Sequence, residues 1–81
     1  MSDEVGNGPR TLADLPPGEG GRIAGIDGGD VLHQRLLELG LTEGTDVLVV
    51  RYAPLGDPME IRVRGYFLTL RRKDARGVRL R

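Results

Sequence analysis

Residues 59–70, MEIRVRGYFLTL, carry an apolar side chain at every second position on either side of Arg64-Gly65. Alternation with a period of two is typical of a strand that buries one face. A two-residue turn at Arg64-Gly65 sets the register and places six apolar side chains on the same face. The predicted pairs are Val63 with Tyr66, Ile61 with Leu68 and Met59 with Leu70. The sequence therefore predicts a β-hairpin with one buried face.

Three further segments have the composition of strands. Residues 21–27, GRIAGID, predict a first strand in which Gly25 marks a bulge or a close backbone approach. Residues 45–52, TDVLVVRY, are β-branched and nearly continuous, as expected when both faces of a strand are partly covered. Residues 78–80 predict a short last strand with Val78 and Leu80 pointing inward.

Residues 30–41, DVLHQRLLELGL, predict the single longer helix. Asp30 is expected to cap its N-terminus. The predicted buried stripe consists of Leu32, Leu36 and Leu39. Gly40 stands where a left-handed residue ends a helix, and Leu41 is expected to pack back on Leu36.

Five short strands and one helix between strands 1 and 2 predict an all-β fold, a small closed β-barrel with one short α-helix, because closure removes exposed strand edges. Thr11 and the Leu12/Leu15 pair before the double proline predict one helical turn at the start of the folded part. Residues 11–81 are therefore expected to form one domain. Residues 1–10 are polar, contain no apolar periodicity and predict a disordered tail.

The chain offers few residues for catalysis or for metal binding. It contains no cysteine, and His33 is its single histidine, with no partner at the spacing of a metal site or a catalytic triad. The glycine-rich segment GEGGRIAG fits neither dinucleotide nor phosphate-loop patterns. We therefore predict no catalytic residue, no cofactor and no metal ligand.

Two features bear on location. The N-terminus MSDEVGNGPR carries acids where a secretory signal would need bases, and the longest apolar run, residues 47–50, is too short to cross a bilayer. Both favour a cytoplasmic protein.

Two leucines are candidates for contact with a protein partner. Leu37 projects away from the predicted buried stripe of the helix. Leu55 stands in the loop APLGDP, residues 53–58, beside the turn residues Gly56 and Asp57. Isolated exposed leucines are ordinary on protein surfaces. If Leu37 and Leu55 share one patch, however, docking is its obvious use.

The charge pattern suggests an alternative function. Residues 1–50 hold three Lys/Arg and nine Asp/Glu, whereas residues 51–81 hold nine and three, so the halves carry formal charges of −6 and +6. This asymmetry produces a polarised surface unless the fold interleaves the two halves. An arginine-rich small barrel can bind single-stranded nucleic acid, but Phe67 is the one aromatic residue placed for base stacking. Arg62, directly across the ladder, can instead lie over its ring.

Several segments together resemble the FeoA family. They are TLADLPPGEGGRI, RLLELGLTEGT with the following DVLVV, and APLGDPMEIRVRGYFLTLRRKDA, which cover residues 11 to about 76 in the order of the family. The resemblance implies an SH3-like barrel without enzymatic activity that binds and regulates FeoB, a membrane iron transporter with a cytosolic GTP-binding domain. The candidate partner-binding residues are then Leu37, Leu55, Gly56, Asp57, Arg62 and Arg64. Because the family is associated with iron uptake, direct sensing of ferrous iron is a third hypothesis for the function.

Overall fold

The computed structural model describes residues 10–81. In chain order the elements are a 3₁₀ turn at Leu12–Asp14, β1 at Gly20–Ile26, α1 at Asp30–Glu38, β2 at Asp46–Tyr52, β3 at Met59–Val63, β4 at Tyr66–Leu70, α2 at Arg72–Ala75 and β5 at Val78–Leu80. The predicted tail, residues 1–10, falls outside the described residues except for Arg10. The carbonyl of Arg10 accepts a hydrogen bond from the Leu80 N–H at 2.8 Å.

The five strands form one antiparallel sheet in the order β4-β3-β2-β1-β5, with α1 between β1 and β2. The predicted all-β class and strand number are confirmed. Among residues 10–81 no ladder joins β4 to β5, so the predicted closure of the barrel by hydrogen bonding was wrong. The reason is that β1 occupies one edge of β5 and the chain at Arg10 and Thr11 occupies the other.

The β3–β4 hairpin has the predicted register at all five pairs, from Met59–Leu70 to Val63–Tyr66. Arg64 and Gly65 form its turn with φ of 52° and 88°, as a type I′ turn requires. Met59, Ile61 and Val63 are fully buried. Tyr66, however, is 42% exposed, because it lies at the turn end of the hairpin, where its hydroxyl donates a hydrogen bond to the Leu39 carbonyl.

Strand β1 contains the bulge that Gly25 predicted. The register against β5 shifts between Ile23 and Gly25. A Cβ atom at Gly25 would lie 2.5 Å from Nη2 of Arg79, so the absence of a side chain also admits that guanidinium. Both expectations for Gly25 are met.

The predicted helix is confirmed, but its cap and its stripe differ from the prediction. Asp30 is the first helical residue, and Gly29 holds the cap position without any side-chain bond. The cap prediction was wrong because the bend at Gly28 and Gly29, with φ of 109° and 93°, starts the helix one residue earlier than expected. Leu36 is buried, but Leu39 follows the last helical turn and is 39% exposed.

The C-terminus of α1 forms the predicted left-handed cap. Gly40 has φ of 90°. The Gly40 N–H donates to the Leu37 carbonyl, and the Leu41 N–H donates to the Leu36 carbonyl, each at 2.9 Å. These two bonds define a Schellman motif, and the buried side chains of Leu41 and Leu36 belong to one core.

The core is aliphatic and reaches beyond the sheet. The 3₁₀ turn contributes Leu12, the residue directly after it is Leu15, and α2 contributes Ala75, all at most 1% exposed. Tyr52 lies at the margin of the core, partly buried. The turn before β1 and the helix before β5 therefore complete the packing of the barrel.

Candidate partner-binding surface

The loop at residues 53–58 is closed by its own backbone. The Ala53 N–H donates to the Pro58 carbonyl at 2.9 Å, and the Gly56 N–H donates to the Ala53 carbonyl at 2.7 Å. Gly56 has φ of 91°, a conformation that favours glycine. The loop is therefore a compact hydrogen-bonded projection between β2 and β3.

Leu55 lies at the tip of this projection. Its side chain is 97% exposed, which makes it the most exposed large apolar residue within residues 10–81. A leucine side chain gains about 2 kcal/mol when it moves from water into an apolar pocket. The loop thus presents one apolar side chain on a structured support.

Arg72, the first residue of α2, anchors the base of the loop. Its Nη1 donates to the Gly56 carbonyl at 3.5 Å, and its Nη2 donates to the Ala13 carbonyl at 3.1 Å. The guanidinium carbon lies 4.7 Å from the ring centroid of Tyr52. No local sequence pattern marks Arg72 as a side chain that points back into the molecule.

Asp57 and Gly56, both predicted to bind a partner, have contacts within the domain. The Asp57 carboxylate accepts the backbone N–H of Arg72 at 3.0 Å, at the start of α2. The Gly56 carbonyl accepts a hydrogen bond from the guanidinium of the same residue. The two residues therefore hold the loop in place, and Leu55 is the side chain that remains available.

The base of the loop is also tied to the N-terminal turn. The Tyr52 hydroxyl donates to the Leu15 carbonyl. Together with the bond from Arg72 to Ala13, this contact links both ends of the 3₁₀ turn to the residues that support the loop. The turn at the start of the domain is thus part of the loop's support.

Leu37, the other predicted leucine, is 39% exposed on α1. The end of α1 contacts the hairpin at its turn, where Tyr66 binds Leu39. The loop of Leu55 joins the opposite end of β3, at Met59. The length of β3, roughly 13 Å for four residue steps, separates the two ends. The structure therefore brings Leu55, Gly56 and Asp57 together and places Leu37 at the other end of the hairpin.

Arg62 and Arg64 lie on the outer face and the turn of the hairpin. Arg64 donates from Nη2 to the hydroxyls of Thr42 and Thr45, at 3.3 Å and 3.0 Å. Arg62 faces Phe67 across the ladder, as predicted. The predicted stacking of Arg62 on that ring is not formed; among residues 10–81 the cation–π contact is that of Arg72 with Tyr52.

The described part of the chain holds no group of three or more His, Cys, Asp or Glu side chains placed to bind a metal ion. His33 is exposed on α1. No helix within residues 10–81 has the length and apolar character needed to span a bilayer.

Comparison with known proteins gives a family. The sequence profile of the FeoA domain family matches residues 10–81. The chain is 39% identical over 64 residues to the Fe(2+) transport protein A/Fe(2+) transporter FeoB fusion protein of Porphyromonas gingivalis. The match covers 79% of this chain but 8% of that much longer relative.

Solved structures of the same family share the fold. A FeoA-like protein from Clostridium acetobutylicum superposes with a TM-score of 0.84 at 26% identity, covering 90% of this chain and 85% of that one. FeoA of Stenotrophomonas maltophilia, a procaryotic SH3-domain protein solved in complex with zinc, superposes with a TM-score of 0.77 at 28% identity, covering 89% of both chains. The SH3-like class predicted from the sequence is confirmed.

Proposed function

The chain belongs to the FeoA domain family, and from this membership we propose that it is a non-enzymatic accessory protein of ferrous iron uptake that binds and regulates a FeoB transporter. The relative from Porphyromonas gingivalis carries both names in one fusion protein. Fusion in one chain supports an association between the two domains in relatives that keep them separate. In this proposal the domain works at the cytosolic part of the transporter and is therefore cytoplasmic.

The observation that carries the proposal is the Leu55 loop. Its backbone is closed by two hydrogen bonds and supported by Arg72 and Asp57. A preorganised loop loses little conformational entropy on binding, so most of the free energy from burying Leu55 contributes to affinity. Leu55 is thus suited to fill an apolar pocket of the partner.

The proposed activity is contact without catalysis. The polar side chains gathered beneath the loop bind main-chain groups of this chain: Arg72 binds two carbonyls, Asp57 an N–H and Tyr52 a carbonyl. Arg62 and Arg64 lie on the hairpin away from the loop and add positive charge for an acidic partner surface.

Capture of FeoB by the immobilised protein tests the proposal. Leu55→Asp places a charge where a pocket is expected, so we expect at least about a tenfold loss of affinity, equivalent to about 1.4 kcal/mol. Leu37→Asp tests the second leucine separately, because it lies at the other end of the hairpin. Val31→Asp is the matched control, since Val31 is another exposed aliphatic residue, at 81%.

Unchanged capture by the Leu55 and Leu37 variants would remove both leucines from the interface. Equal losses in all three variants would point to a general effect of added negative charge. The circular dichroism spectrum of each variant verifies the fold: Leu55 and Val31 point to solvent, and Leu37 is partly exposed.

Binding of single-stranded nucleic acid is the second candidate function, favoured by the exposed Phe67 beside Arg62 on the outer face of the hairpin. Tyr66 and Tyr52 hydrogen-bond to main-chain carbonyls, so this face has one stacking platform. Fluorescence anisotropy with a labelled oligonucleotide separates the candidates. Binding that weakens steeply with salt and is lost in Phe67→Ala would support the nucleic-acid function. Absence of binding at low salt would exclude that function.

A further inference from the structure

Strand β4 has an outer edge whose backbone groups face away from the sheet. The two-residue turn makes Val63 and Tyr66 a hydrogen-bonded pair, and bonded pairs alternate with non-bonded pairs along an antiparallel ladder. Phe67 and Thr69 therefore fall at non-bonded positions. Their N–H and C=O groups point outward, away from β3.

These four groups have no hydrogen-bond partner within residues 10–81. The other end of the sheet is different. Strand β5 has its outer edge covered by Thr11, which pairs with Arg79, and by Arg10, which binds Leu80. The chain thus covers one edge of its sheet and leaves β4 as an edge that its described residues do not cover.

The β4 edge lacks the features by which proteins usually protect an edge strand. Such protection consists of lysine or other charged side chains, proline, a bulge or a very short strand. Strand β4 is five residues long, contains neither charge nor proline, and pairs with β3 without a register shift. Phe67 is 59% exposed beside the free groups. An uninterrupted, uncharged edge of this kind is a template for another strand.

The charges around β4 indicate the chemistry of that strand. Arg64 precedes β4 in the turn, Arg71 follows it, and Arg62 lies directly across from Phe67. All three are exposed and have no carboxylate partner among residues 10–81. The nearby carboxylate of Glu60 is already paired with Arg51 at 2.7 Å. The Arg64 guanidinium, however, lies on Thr42 and Thr45 towards β2, so Arg71 is the residue that brings unpaired positive charge to the end of the β4 edge.

This charge argues against a second copy of the chain as the added strand. An antiparallel β4–β4 pair would bring Arg71 of each copy towards the hairpin turn of the other copy, which carries Arg64. Like charges opposed across strands are destabilising. A strand rich in Asp or Glu would instead gain an ion pair with Arg71.

We propose that the outer edge of β4 binds an extended acidic segment of a partner protein as a sixth strand. The N–H and C=O groups of Phe67 and Thr69 form four backbone hydrogen bonds with it. Arg71 binds one of its carboxylates, and the ring of Phe67 packs against an apolar side chain of the segment. This site goes beyond the Leu55 loop and does not depend on the identity of the transporter partner.

An eight-residue synthetic peptide of alternating glutamate and valine is the probe. Amide hydrogen exchange followed by NMR reports on the edge directly. We expect the Phe67 and Thr69 amides to exchange rapidly in the dilute protein. With saturating peptide their exchange should slow at least about tenfold, because a hydrogen-bonded amide exchanges only when that hydrogen bond opens. A lysine–valine peptide of the same length is expected to give no slowing.

Two variants make the site specific. Thr69→Pro removes an outward N–H that β3 does not use, so affinity for the peptide should fall at least tenfold, whereas Thr69→Val keeps the N–H and should keep the affinity. Arg71→Glu changes a solvent-exposed side chain outside the strand. It should weaken binding of the glutamate–valine peptide and strengthen binding of the lysine–valine peptide. This test remains valid even if Thr69→Pro fails to fold.

Three outcomes would overturn the proposal. Slow exchange of both amides in the dilute, peptide-free protein would mean that the chain itself covers the edge. Protection that rises with protein concentration alone would identify a second copy as the occupant. Absence of protection with the glutamate peptide, or binding that Thr69→Pro and Arg71→Glu leave unchanged, would exclude strand addition at β4.

Discussion

At the scale of single residues, Arg72 is the side chain that joins the most distant parts of the chain. It contacts Ala13 of the 3₁₀ turn, Gly56 of the loop and the ring of Tyr52. Its Nε is buried without a hydrogen-bond partner among residues 10–81. The guanidinium is thus partly desolvated, but it contacts two carbonyls and an aromatic face. Lysine cannot reproduce this geometry.

Replacing Arg72 with methionine should destabilise the domain by about 2 kcal/mol, since charge-assisted hydrogen bonds contribute about 1.5–3 kcal/mol. Urea denaturation measures the change. Arg71→Met is the matched control, because Arg71 is an exposed neighbour without an ion pair in the described region. Equal midpoints for the two variants would contradict the anchoring role of Arg72.

At the scale of elements, α1 depends on contacts beyond its own sequence. It has nine residues, and isolated helices of this length are marginal in water. The Schellman motif at Gly40 and the bond from Tyr66 to the Leu39 carbonyl hold its C-terminus against the hairpin. The end of the helix and the start of β4 therefore form one stabilised corner.

Gly40→Ala tests that corner. A Cβ atom at Gly40 would lie 2.7 Å from the Tyr66 hydroxyl, so the substitution strains the backbone and displaces a hydrogen-bonded group. We expect a loss of about 2 kcal/mol in the free energy of unfolding. Gly44→Ala is the control, because Gly44 also has a positive φ but an added Cβ would meet nothing within 4 Å, and it should cost about 1 kcal/mol.

A second background makes the test independent of the absolute values. In Tyr66→Phe the displaced hydroxyl is absent, so the cost of Gly40→Ala should fall to that of Gly44→Ala. A cost that stays the same in both backgrounds would mean that the Tyr66 contact plays no part.

At the scale of the whole molecule, the fold interleaves the two oppositely charged halves. Among residues 10–81, three ion pairs stay within one half: Arg10–Glu19, Arg22–Asp46 and Arg51–Glu60. Three pairs join the halves: Asp27–Arg79, Arg35–Asp74 and Glu43–Arg81. The hydrogen bond and the charge of Arg22 lower the pKa of the Asp46 carboxyl. The stabilisation that this pair gives the folded state is lost as pH falls through that lowered pKa. The polarisation that the sequence suggested is thus partly cancelled, and unpaired arginines remain around β4.

The 3₁₀ turn belongs to the core of the whole domain, which leads to a stability prediction. Leu12 is fully buried, so Leu12→Ala should cost about 3 kcal/mol, as truncations in barrel strands do. Leu37→Ala, at a partly exposed leucine, should cost less than about 1 kcal/mol. Thermal unfolding of both variants provides the measurement. A small effect of Leu12→Ala would mean that the barrel is stable without the turn.

The sequence by itself determined the elements whose information is local. Alternation along residues 59–70, with glycine second in the turn, specified the hairpin and its register, because shifting it by one residue would expose Met59, Ile61 and Val63. Gly25 predicted the bulge, because a side chain there would clash with its neighbour Arg79. Gly40 predicted the end of the helix, because its positive φ favours glycine. Asp30 was assigned to the cap because pattern alone does not reveal the bend at the two preceding glycines.

The candidate surface was decided by tertiary structure. Sequence identified Leu55 and Leu37 as spare, but their separation follows from the pairing of β3 with β4 and from the bond between Tyr66 and Leu39. Asp57 and Arg72 meet although 15 residues separate them in the chain, and Arg72 reaches Ala13 across 59 residues. Contacts over such distances depend on how the sheet brings its ends together. A pattern of neighbouring residues carries no signal for them, because the same arginine in the same local sequence could equally point into solvent.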